Sequence, residues 1–274
     1  MPDADQRLDA ALVSRGLARS RTLAARVIAD GLVTVDGRAV VKPATKVRDN
    51  QVLVVAGADH YVSRGAHKLI AALDAFPVDP AGRVALDAGA STGGFSQVLL
   101  ERGARTVIAL DVGHGQLSPE ISGDARVAVV EGFNVRDLTP ESLAGASGVP
   151  DRPDLVVGDL SFISLTQVLD ALQRSAQPGS DFVLLIKPQF EVGRGGIREG
   201  IVRNAALRAD AIATVLWYAW DLGLGTAGLI PSPIVGGHGN HEYVVWLREA
   251  GSVPGGVAAN PTEWLDRMTE MAGA

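Results

Sequence analysis

From residue 83 onward, apolar positions fall in short unbroken runs, and the stretches between them have the spacing of amphipathic helices. Such runs predict strands buried on both faces, and helices between them predict a mainly parallel sheet in an α/β fold. Seven strands are predicted, over residues 84–87, 107–111, 127–130, 155–159, 182–187, 226–230 and 243–247. Only a loop rich in glycine and proline separates the last two, so the last strand is expected to be antiparallel to its neighbours. The longest helix is predicted over 205–222, with Trp217 among its packed residues.

The beginning of the chain has a different pattern, of two short amphipathic helices followed by three short strands. The helices are predicted over 7–15 and 21–30, and the strands over 32–35, 38–41 and 52–55. Asp36-Gly37, between the first two strands, is typical of a type I′ hairpin turn. We therefore expect a small α+β domain beside a larger α/β domain. The predicted boundaries are 1–58 for the small domain, 59–62 for a linker, 63–250 for the large domain, and 251–274 for a tail with a short helix.

Composition excludes several classes of protein. The 274 residues include no cysteine, which excludes a disulfide scaffold and a cysteine nucleophile and suits a reducing compartment. The first ten residues lack the apolar core of a signal peptide. The longest run without charge, 222–241, contains six glycines and two prolines and is a poor membrane span. We expect a soluble, cytoplasmic protein without a membrane partner.

Charge is distributed unevenly along the chain. The net charge of −6 argues against a nucleic-acid partner, but residues 1–70 hold 11 basic and 7 acidic residues, a net of +4, and the remainder has a net of −10. This asymmetry is expected if only the first module contacts a polyphosphate, although a chance fluctuation explains it equally well. Arg15, Arg19, Arg21 and Arg26 lie near the turn between the two predicted helices. Arginine suits phosphate recognition, whereas a solvated helix face is the ordinary alternative.

A glycine-rich turn follows the first strand of the large domain, in Leu86-Asp-Ala-Gly-Ala-Ser-Thr-Gly-Gly-Phe95. Such a turn lets a nucleotide-like ligand approach the main chain, and Asp111, at the end of the next strand, is placed to accept hydrogen bonds from ribose hydroxyls. The spacing is not GxGxxG, which disfavours NAD. Asp87 suits a ligand that carries an ammonium group, as S-adenosylmethionine does. A purely structural tight turn is the alternative.

Three charged residues flank predicted strands of the sheet. Asp159 and Lys187 end two successive parallel strands, and Glu242 precedes the last strand, so an antiparallel last strand brings all three to one edge. Lys68 comes from the preceding helix. A structural ion-pair network is the alternative. The five histidines are scattered without metal-ligand spacing, and no metal is expected.

Two resemblances to known families cover most of the chain. Residues 5–56, with Leu8, Leu12, Arg15-Gly16-Leu17, Gly31 and Gly37, resemble the RNA-binding module of small-subunit ribosomal protein S4. The chain as a whole resembles the TlyA (haemolysin A) family of ribosomal RNA 2′-O-ribose methyltransferases, which joins that module to an FtsJ-like domain. The motifs that carry this resemblance are Ser63-Arg-Gly-Ala-His-Lys-Leu69, Leu86–Phe95, Asp159-Leu-Ser-Phe-Ile-Ser164, Lys187-Pro-Gln-Phe-Glu191 and Gly239-Asn-His-Glu-Tyr243.

The resemblance implies a Rossmann-like class I methyltransferase fold, S-adenosylmethionine as the cofactor, and ribosomal RNA or ribosomal subunits as the partner. Its members methylate cytidine ribose in small-subunit and, for some, large-subunit rRNA. The implied catalytic tetrad is Lys68, Asp159, Lys187 and Glu242. The cofactor residues are expected to be Asp87, Gly89, Ser91, Thr92, Gly93, Gly94, Phe95, Asp111 and Asn134. Arg64 is expected to extend the RNA-binding surface, and the protein is expected to act as a monomer.

The role of Lys187 stays open at this stage. A lysine removes a proton at neutral pH only where its surroundings lower its pKa from the ordinary value of about 10.4, whereas an ammonium that stabilises a developing alkoxide needs no such shift. We prefer the second role. The rival functions are a membrane-active haemolysin, a nicotinamide-dependent oxidoreductase and a non-catalytic ribosome assembly factor.

Overall fold

The chain folds into two compact units, residues 1–60 and 61–274, which we call the N-terminal and C-terminal units. The structure, a computed structural model, describes residues 6–18, 20–29, 31–55, 60–193, 196–197, 199–236, 239–252 and 260–273. Tyr61 and Val62, which the sequence analysis assigns to a linker, pack against the apolar core of the C-terminal unit.

The N-terminal unit has the two predicted helices and the three predicted strands, together with two short strands that the sequence pattern did not predict. The helices are α1 (Leu8–Ser14) and α2 (Arg21–Ala29), and the strands are β1 (Gln6–Arg7), β2 (Val33–Val35), β3 (Arg38–Ala39), β4 (Lys46–Val47) and β5 (Leu53–Val55). The order β3-β2-β5 is antiparallel, and β1 pairs with β4. Asp36 and Gly37 have φ values of 49° and 80°, as a type I′ turn requires. Leu8, Leu12 and Ile28 are fully buried and form the core with the strands.

A seven-stranded sheet forms the centre of the C-terminal unit. Its strands are β6 (Val84–Ala88), β7 (Thr106–Leu110), β8 (Val127–Val130), β9 (Leu155–Gly158), β10 (Asp181–Ile186), β11 (Leu224–Pro231) and β12 (Tyr243–Glu249). The spatial order is β11-β12-β10-β9-β6-β7-β8. All neighbours are parallel except β12, which is antiparallel to both β10 and β11. The predicted mainly parallel α/β sheet with an antiparallel last strand is confirmed.

Helices cover both faces of this sheet because its strands are apolar on both sides. The helices are α3 (Ala66–Ala75), α4 (Gly94–Glu101), α5 (Pro119–Ser122), α6 (Pro140–Ser147), α7 (Leu169–Ser175), α8 (Pro188–Glu191), α9 (Ala205–Asp221) and α10 (Leu265–Ala272). On one face α3 and α4 bury Leu69 and Phe95, and on the other α7 and α9 bury Leu172 and Ile212. Alternate residues along each strand point to opposite faces, so one sheet supplies two cores.

Two details of the C-terminal unit differ from the sequence analysis. Trp217 was expected to be packed, but it is 41% exposed on the outer side of α9. Residues beyond 250 were expected to form a tail outside the large domain, whereas Trp264 and Met268 are buried in the same core as α9. The reason is the amphipathic pattern of α10, whose apolar side covers part of α9.

No helix within the described ranges combines the length and the apolar character needed to cross a bilayer.

Candidate active site

Three strand ends meet at one edge of the sheet. Strand β9 is parallel to β10, with Gly158 opposite Leu184, so the residues that follow both strands emerge on the same side. Strand β12 is antiparallel, with Tyr243 opposite Ile186, and its first residues therefore lie at that edge too. This topology brings Asp159, Lys187 and Glu242 together, although 83 positions separate the first from the last.

Lys68 from α3 completes a chain of four alternating charges, which we call the tetrad. The Lys68 Nζ atom lies 2.7 Å from Glu242 Oε2 and 3.0 Å from Asp159 Oδ2. Asp159 also contacts the second lysine, because its Oδ1 atom lies 2.7 Å from Lys187 Nζ. The order along the contacts is therefore Glu242, Lys68, Asp159 and Lys187, with two cations and two carboxylates.

The tetrad is buried except at Asp159. Lys68 and Lys187 are each 7% exposed and Glu242 is 4% exposed, whereas the Asp159 side chain keeps 21% of its surface. Burial by itself lowers the pKa of Lys68, but the carboxylates of Asp159 and Glu242 outweigh burial and raise that pKa above its ordinary value. Burial likewise raises the pKa of Asp159, and Lys187 and Lys68 more than reverse this effect. The pairs therefore hold both groups in their charged forms.

Two neighbouring cavities open at this edge of the sheet. The first, of about 500 Å³, is lined by Lys68, Asp159 and Lys187 together with most residues of the glycine-rich turn, and we call it the tetrad cavity. The second, of about 540 Å³, is lined by Asp111 and Asn134 among others, and we call it the Asp111 cavity. Gly89, Ser91, Asp159 and Ser161 line both. The four shared residues make the cavities adjoining parts of one crevice.

The glycine-rich turn forms the floor of this crevice. Gly89 has a φ of +83°, and a Cβ atom there would lie 3.1 Å from Leu160 Cδ2, so a side chain would crowd the crevice. Of the predicted cofactor residues in this turn, Gly89, Ser91, Thr92, Gly94 and Phe95 line the tetrad cavity. Gly93 does not; it has a φ of +94° at the start of α4, and a Cβ atom there would lie 2.9 Å from Leu117.

Asp111 is oriented by main-chain donors before any ligand arrives. The Ser91 N–H donates to Asp111 Oδ2 and the Gly113 N–H donates to Asp111 Oδ1, both at 2.8 Å. Its carboxylate lines the Asp111 cavity and keeps further lone pairs for hydroxyl donors. Asn134 lines the same cavity, and its side chain accepts a hydrogen bond from the Arg136 N–H.

Asp87 differs from the other predicted cofactor residues because the structure does not bring it to the crevice. It is the fourth residue of β6, is 0% exposed and lines neither cavity. The Ser96 Oγ atom of α4 donates to Asp87 Oδ2 at 2.7 Å. Burial raises the pKa of Asp87 to about 7 in spite of this hydrogen bond. The strand runs one residue further than predicted, and its alternation turns Asp87 towards α4.

The buried Asp87 predicts a pH-dependent stability. The folded carboxyl keeps its proton up to about pH 7, whereas an unfolded aspartate loses it near pH 3.9, so the free energy of unfolding falls as pH rises between those values. The decrease in the free energy of unfolding by pH 8 is on the order of 4 kcal/mol at most. Urea unfolding of the wild type should therefore show a larger loss from pH 5 to pH 8 than Asp87→Asn. Asp210→Asn, at an exposed position, is the control. Equal losses of unfolding free energy in the wild type and in Asp87→Asn would contradict this assignment.

Arg15, predicted to bind RNA, is used within the N-terminal unit. Its guanidinium donates to the main-chain carbonyls of Gln51, at 2.6 Å, and Arg48, at 2.8 Å. These contacts join α1 to the loop before β5, so the side chain stabilises the fold of this unit.

The other predicted RNA-binding arginines lie in different surroundings. The Arg21 guanidinium lies 3.1 Å from Asp9 Oδ2 with 62% of its side chain exposed, and Arg26 is exposed on α2. Arg19 lies outside the described residues. Arg64 belongs to the C-terminal unit, where it is exposed and lines the tetrad cavity.

Two residues at the crevice were missed by the sequence analysis as individual site residues. Ser161 lines both cavities and accepts a hydrogen bond from Lys187 Nζ at 2.8 Å. Phe162 lines the Asp111 cavity, is 91% exposed and has a φ of +65°. Both lie in the motif Asp159–Ser164. The signal in the sequence that could have identified them was an apolar residue directly after a serine close to the end of a strand.

In the part of the chain that the structure describes, no three histidine, cysteine, aspartate or glutamate side chains form a group that could hold a metal ion.

Comparisons with known proteins agree with the division into two units. Residues 61–249 match the model of the FtsJ-like methyltransferase family, and residues 6–53 match that of the S4 domain. The first of these matches covers more than half of the chain.

Similar proteins carry two kinds of name. The 16S/23S rRNA (cytidine-2′-O)-methyltransferase TlyA of Mycobacterium tuberculosis is 52% identical over 245 residues, which cover 88% of this chain and 89% of the relative. Hemolysin A of Brachyspira hyodysenteriae is 37% identical, over 87% of this chain and 98% of the relative. A solved structure of a Streptococcus thermophilus protein with hemolysin in its name superposes with a TM-score of 0.74 at 36% identity, over 98% of this chain and 96% of that chain.

Proposed function

The chain belongs to the FtsJ-like methyltransferase family, and from this premise we propose that it methylates the 2′-oxygen of cytidine ribose in ribosomal RNA, with S-adenosylmethionine as the methyl donor. The observation that carries the proposal is the convergence of Lys68, Asp159, Lys187 and Glu242 at a crevice beside a glycine-rich turn. The similarity to a cytidine-2′-O-methyltransferase over most of both chains supports the choice of substrate.

The crevice fits the proposed cofactor in three respects. Gly89, with a φ of +83°, lets the glycine-rich turn pack closely against Leu160, and the turn lines the crevice where a ligand can approach its main chain. Asp111 presents a pre-oriented carboxylate suited to ribose hydroxyls, and Asn134 offers an amide in the same cavity. Asp159 lines both cavities, so the cofactor side of the crevice adjoins the tetrad. When bound, S-adenosylmethionine supplies an electrophilic methyl group attached to a sulfonium sulfur.

Lys187 is the residue that we assign to the reacting 2′-oxygen. That oxygen gains the methyl group and gives up its proton, so negative charge develops on it during the transfer. The Nζ atom lines the tetrad cavity, and its contacts with Asp159 and Ser161 aim it there. As an ammonium group, Lys187 stabilises the developing alkoxide by donating a hydrogen bond while the hydroxyl proton leaves to water.

Lys68 and Glu242 act through Asp159. Lys68 is held between two carboxylates, and it in turn fixes the Asp159 carboxylate against Lys187. Positioning of this kind accounts for much of the rate of a displacement between two bound reactants. All four tetrad residues and both cavities belong to the C-terminal unit, and we propose that the protein acts as a monomer.

The N-terminal unit is assigned to the RNA. Arg21 and Arg26 are exposed on its second helix, and we expect them to contact phosphates. Arg64 lines the tetrad cavity, and we expect it to contact the nucleotide next to the target ribose. Arg15 contributes indirectly by fixing the fold of the unit. An rRNA substrate places the proposed reaction in the cytoplasm.

Phe162 is assigned to stacking with the target base. A phenylalanine that is 91% exposed costs solvation, and its left-handed backbone adds strain, so a ligand contact is the natural reason for its position. A base that leaves its own stack regains about 1–3 kcal/mol on an aromatic ring. Phe162→Ala should therefore lower kcat/KM for rRNA about 10- to 100-fold, measured by methyl transfer, whereas Phe162→Tyr should stay near the wild type. An Ala variant as active as the wild type would contradict the stacking role.

Transfer of labelled methyl groups tests the proposed function. The purified protein, S-adenosylmethionine with a labelled methyl group, and unmodified 30S and 50S subunits are incubated, and the RNA is digested and analysed by mass spectrometry. We expect the label on the 2′-oxygen of a cytidine, where it protects the neighbouring phosphodiester from alkali. An RNA with 2′-deoxycytidine at that position is the matched control and should accept no label. Label on a base, or no transfer to either subunit, would refute the proposal.

A further inference from the structure

The segment that follows β9 carries three groups of the crevice without regular secondary structure. Asp159, Ser161 and Phe162 lie within the four residues after the strand, and helical geometry resumes only at Leu165. Phe162 has a φ of +65°. The left-handed conformation costs an L-residue roughly 1–2 kcal/mol. Contacts elsewhere must therefore hold this segment in place.

Glu191 makes those contacts from the segment that follows the neighbouring strand, β10. It is the last residue of α8, which begins directly after Lys187. Its Oε1 atom accepts a hydrogen bond from the Leu165 N–H at 2.9 Å, and its Oε2 atom accepts one from Ser164 Oγ. The Ser164 hydroxyl is itself 2.7 Å from Thr166 Oγ1. A half-buried carboxylate thus joins the segment after β9 to the segment after β10.

Two further contacts run between the same segments. The rings of Phe162 and Phe190 lie 5.2 Å apart between centroids. Lys187 Nζ donates to Ser161 Oγ at 2.8 Å. Ser161, Phe162 and Ser164 on one segment therefore contact Lys187, Phe190 and Glu191 on the other. Glu191 supplies the pair of hydrogen bonds with a charged acceptor, which are stronger than neutral ones.

We propose that Glu191 is a positioning residue for methyl transfer, whose carboxylate holds residues 161–165 so that Ser161 and Phe162 stay beside Lys187. This inference rests on the proposed function. Without the carboxylate, Phe162 is free to return to an ordinary backbone conformation. Ser161 then no longer aims the Lys187 ammonium, and the ring no longer stands at the crevice.

Three variants test the proposal with unmodified ribosomal subunits as the substrate. Glu191→Ala should lower kcat about tenfold, because small displacements of catalytic groups cost large factors in rate. Glu191→Gln keeps the acceptor for the Leu165 N–H and should remain within about threefold of the wild type. Ser164→Ala removes one of the same hydrogen bonds from the opposite segment and should also lower kcat. This variant tests the proposal if Glu191→Ala does not fold. Glu263→Ala, an exposed carboxylate on the 3₁₀-helix Pro261–Trp264, is the control and should be fully active.

A double-mutant cycle separates positioning from general stabilisation. In a Phe162→Ala background, Glu191→Ala should lower kcat by about threefold rather than tenfold, because Glu191 then holds only one of its two groups, Ser161, beside Lys187. Independent tenfold losses that multiply in the double variant would overturn the proposal, as would a Gln variant as impaired as the Ala variant. A wild-type protein without methyl transfer would instead refute the proposed function, so the two failures are distinguishable.

Discussion

Lys187→Ala should lower the rate of methyl transfer to rRNA about 10³-fold while leaving RNA binding unchanged. The Lys187 ammonium is 7% exposed, lines the tetrad cavity and is held by Asp159 and Ser161, so no other group replaces it at the 2′-oxygen. The loss should appear in kcat, measured in single turnovers with labelled S-adenosylmethionine. Filter binding of the rRNA should give the same affinity for variant and wild type.

Arg105→Ala provides the control for this experiment. Arg105 is an exposed cation that lies 2.9 Å from Asp151 and lines neither cavity. We expect full activity from this variant, because the removed charge is solvated. If Lys187→Ala transferred methyl groups as fast as the wild type, Lys187 would have no role in the chemistry, whatever the other tetrad residues do.

Lys68→Met should lower the free energy of unfolding by about 3–5 kcal/mol. Lys68 lies within 3.0 Å of both Asp159 and Glu242, and the Glu242 side chain is only 2% exposed, so the substitution leaves a buried carboxylate without its partner. Adding Glu242→Gln should restore part of the lost stability, because the unpaired charge is then removed as well. Methyl transfer should remain impaired in both variants, since Asp159 loses its support. Urea unfolding at pH 7.5 measures the first effect and the methylation assay the second.

An exposed ion pair is the matched comparison for stability. Arg102 lies 2.6 Å from Asp74 with 42% and 59% of the two side chains exposed. Arg102→Met should cost less than about 1 kcal/mol, because solvent screens such pairs. If Lys68→Met were equally mild, the tetrad would not be the buried, mutually dependent network that its distances indicate.

Much of the fold was predictable because the signal for it is local. An unbroken apolar run such as 182–186 has no polar face to turn to solvent, so it indicates a central strand. In the structure this run belongs to β10, which lies between two neighbouring strands. The absence of a predicted helix between 230 and 243 indicated the antiparallel last strand, and this in turn placed Glu242 beside Lys187. The tetrad could be grouped from sequence for the same reason.

The contacts of individual side chains were much less predictable. Asp87 belongs to the same motif as Gly89, yet one is buried under α4 and the other lines the crevice. Arg15 is of a residue type that suits phosphate binding, but its guanidinium donates hydrogen bonds to main-chain carbonyls of its own unit. Glu191 is 27 positions from Ser164, and nothing in either local pattern indicates their hydrogen bond.

The sequence by itself determined the alternation of strands and helices, the glycine-rich turn and the three charged positions at strand ends. These features depend on apolar periodicity and on backbone freedom. Both are properties of residues that are neighbours in the chain, so the sequence alone shows them. Only the tertiary structure decided which charges are buried, which oxygens their donors reach and which aromatic ring stands in solvent. Those outcomes depend on the packing of segments that are distant in the chain, since burial and partnership exist only once the sheet edge has formed.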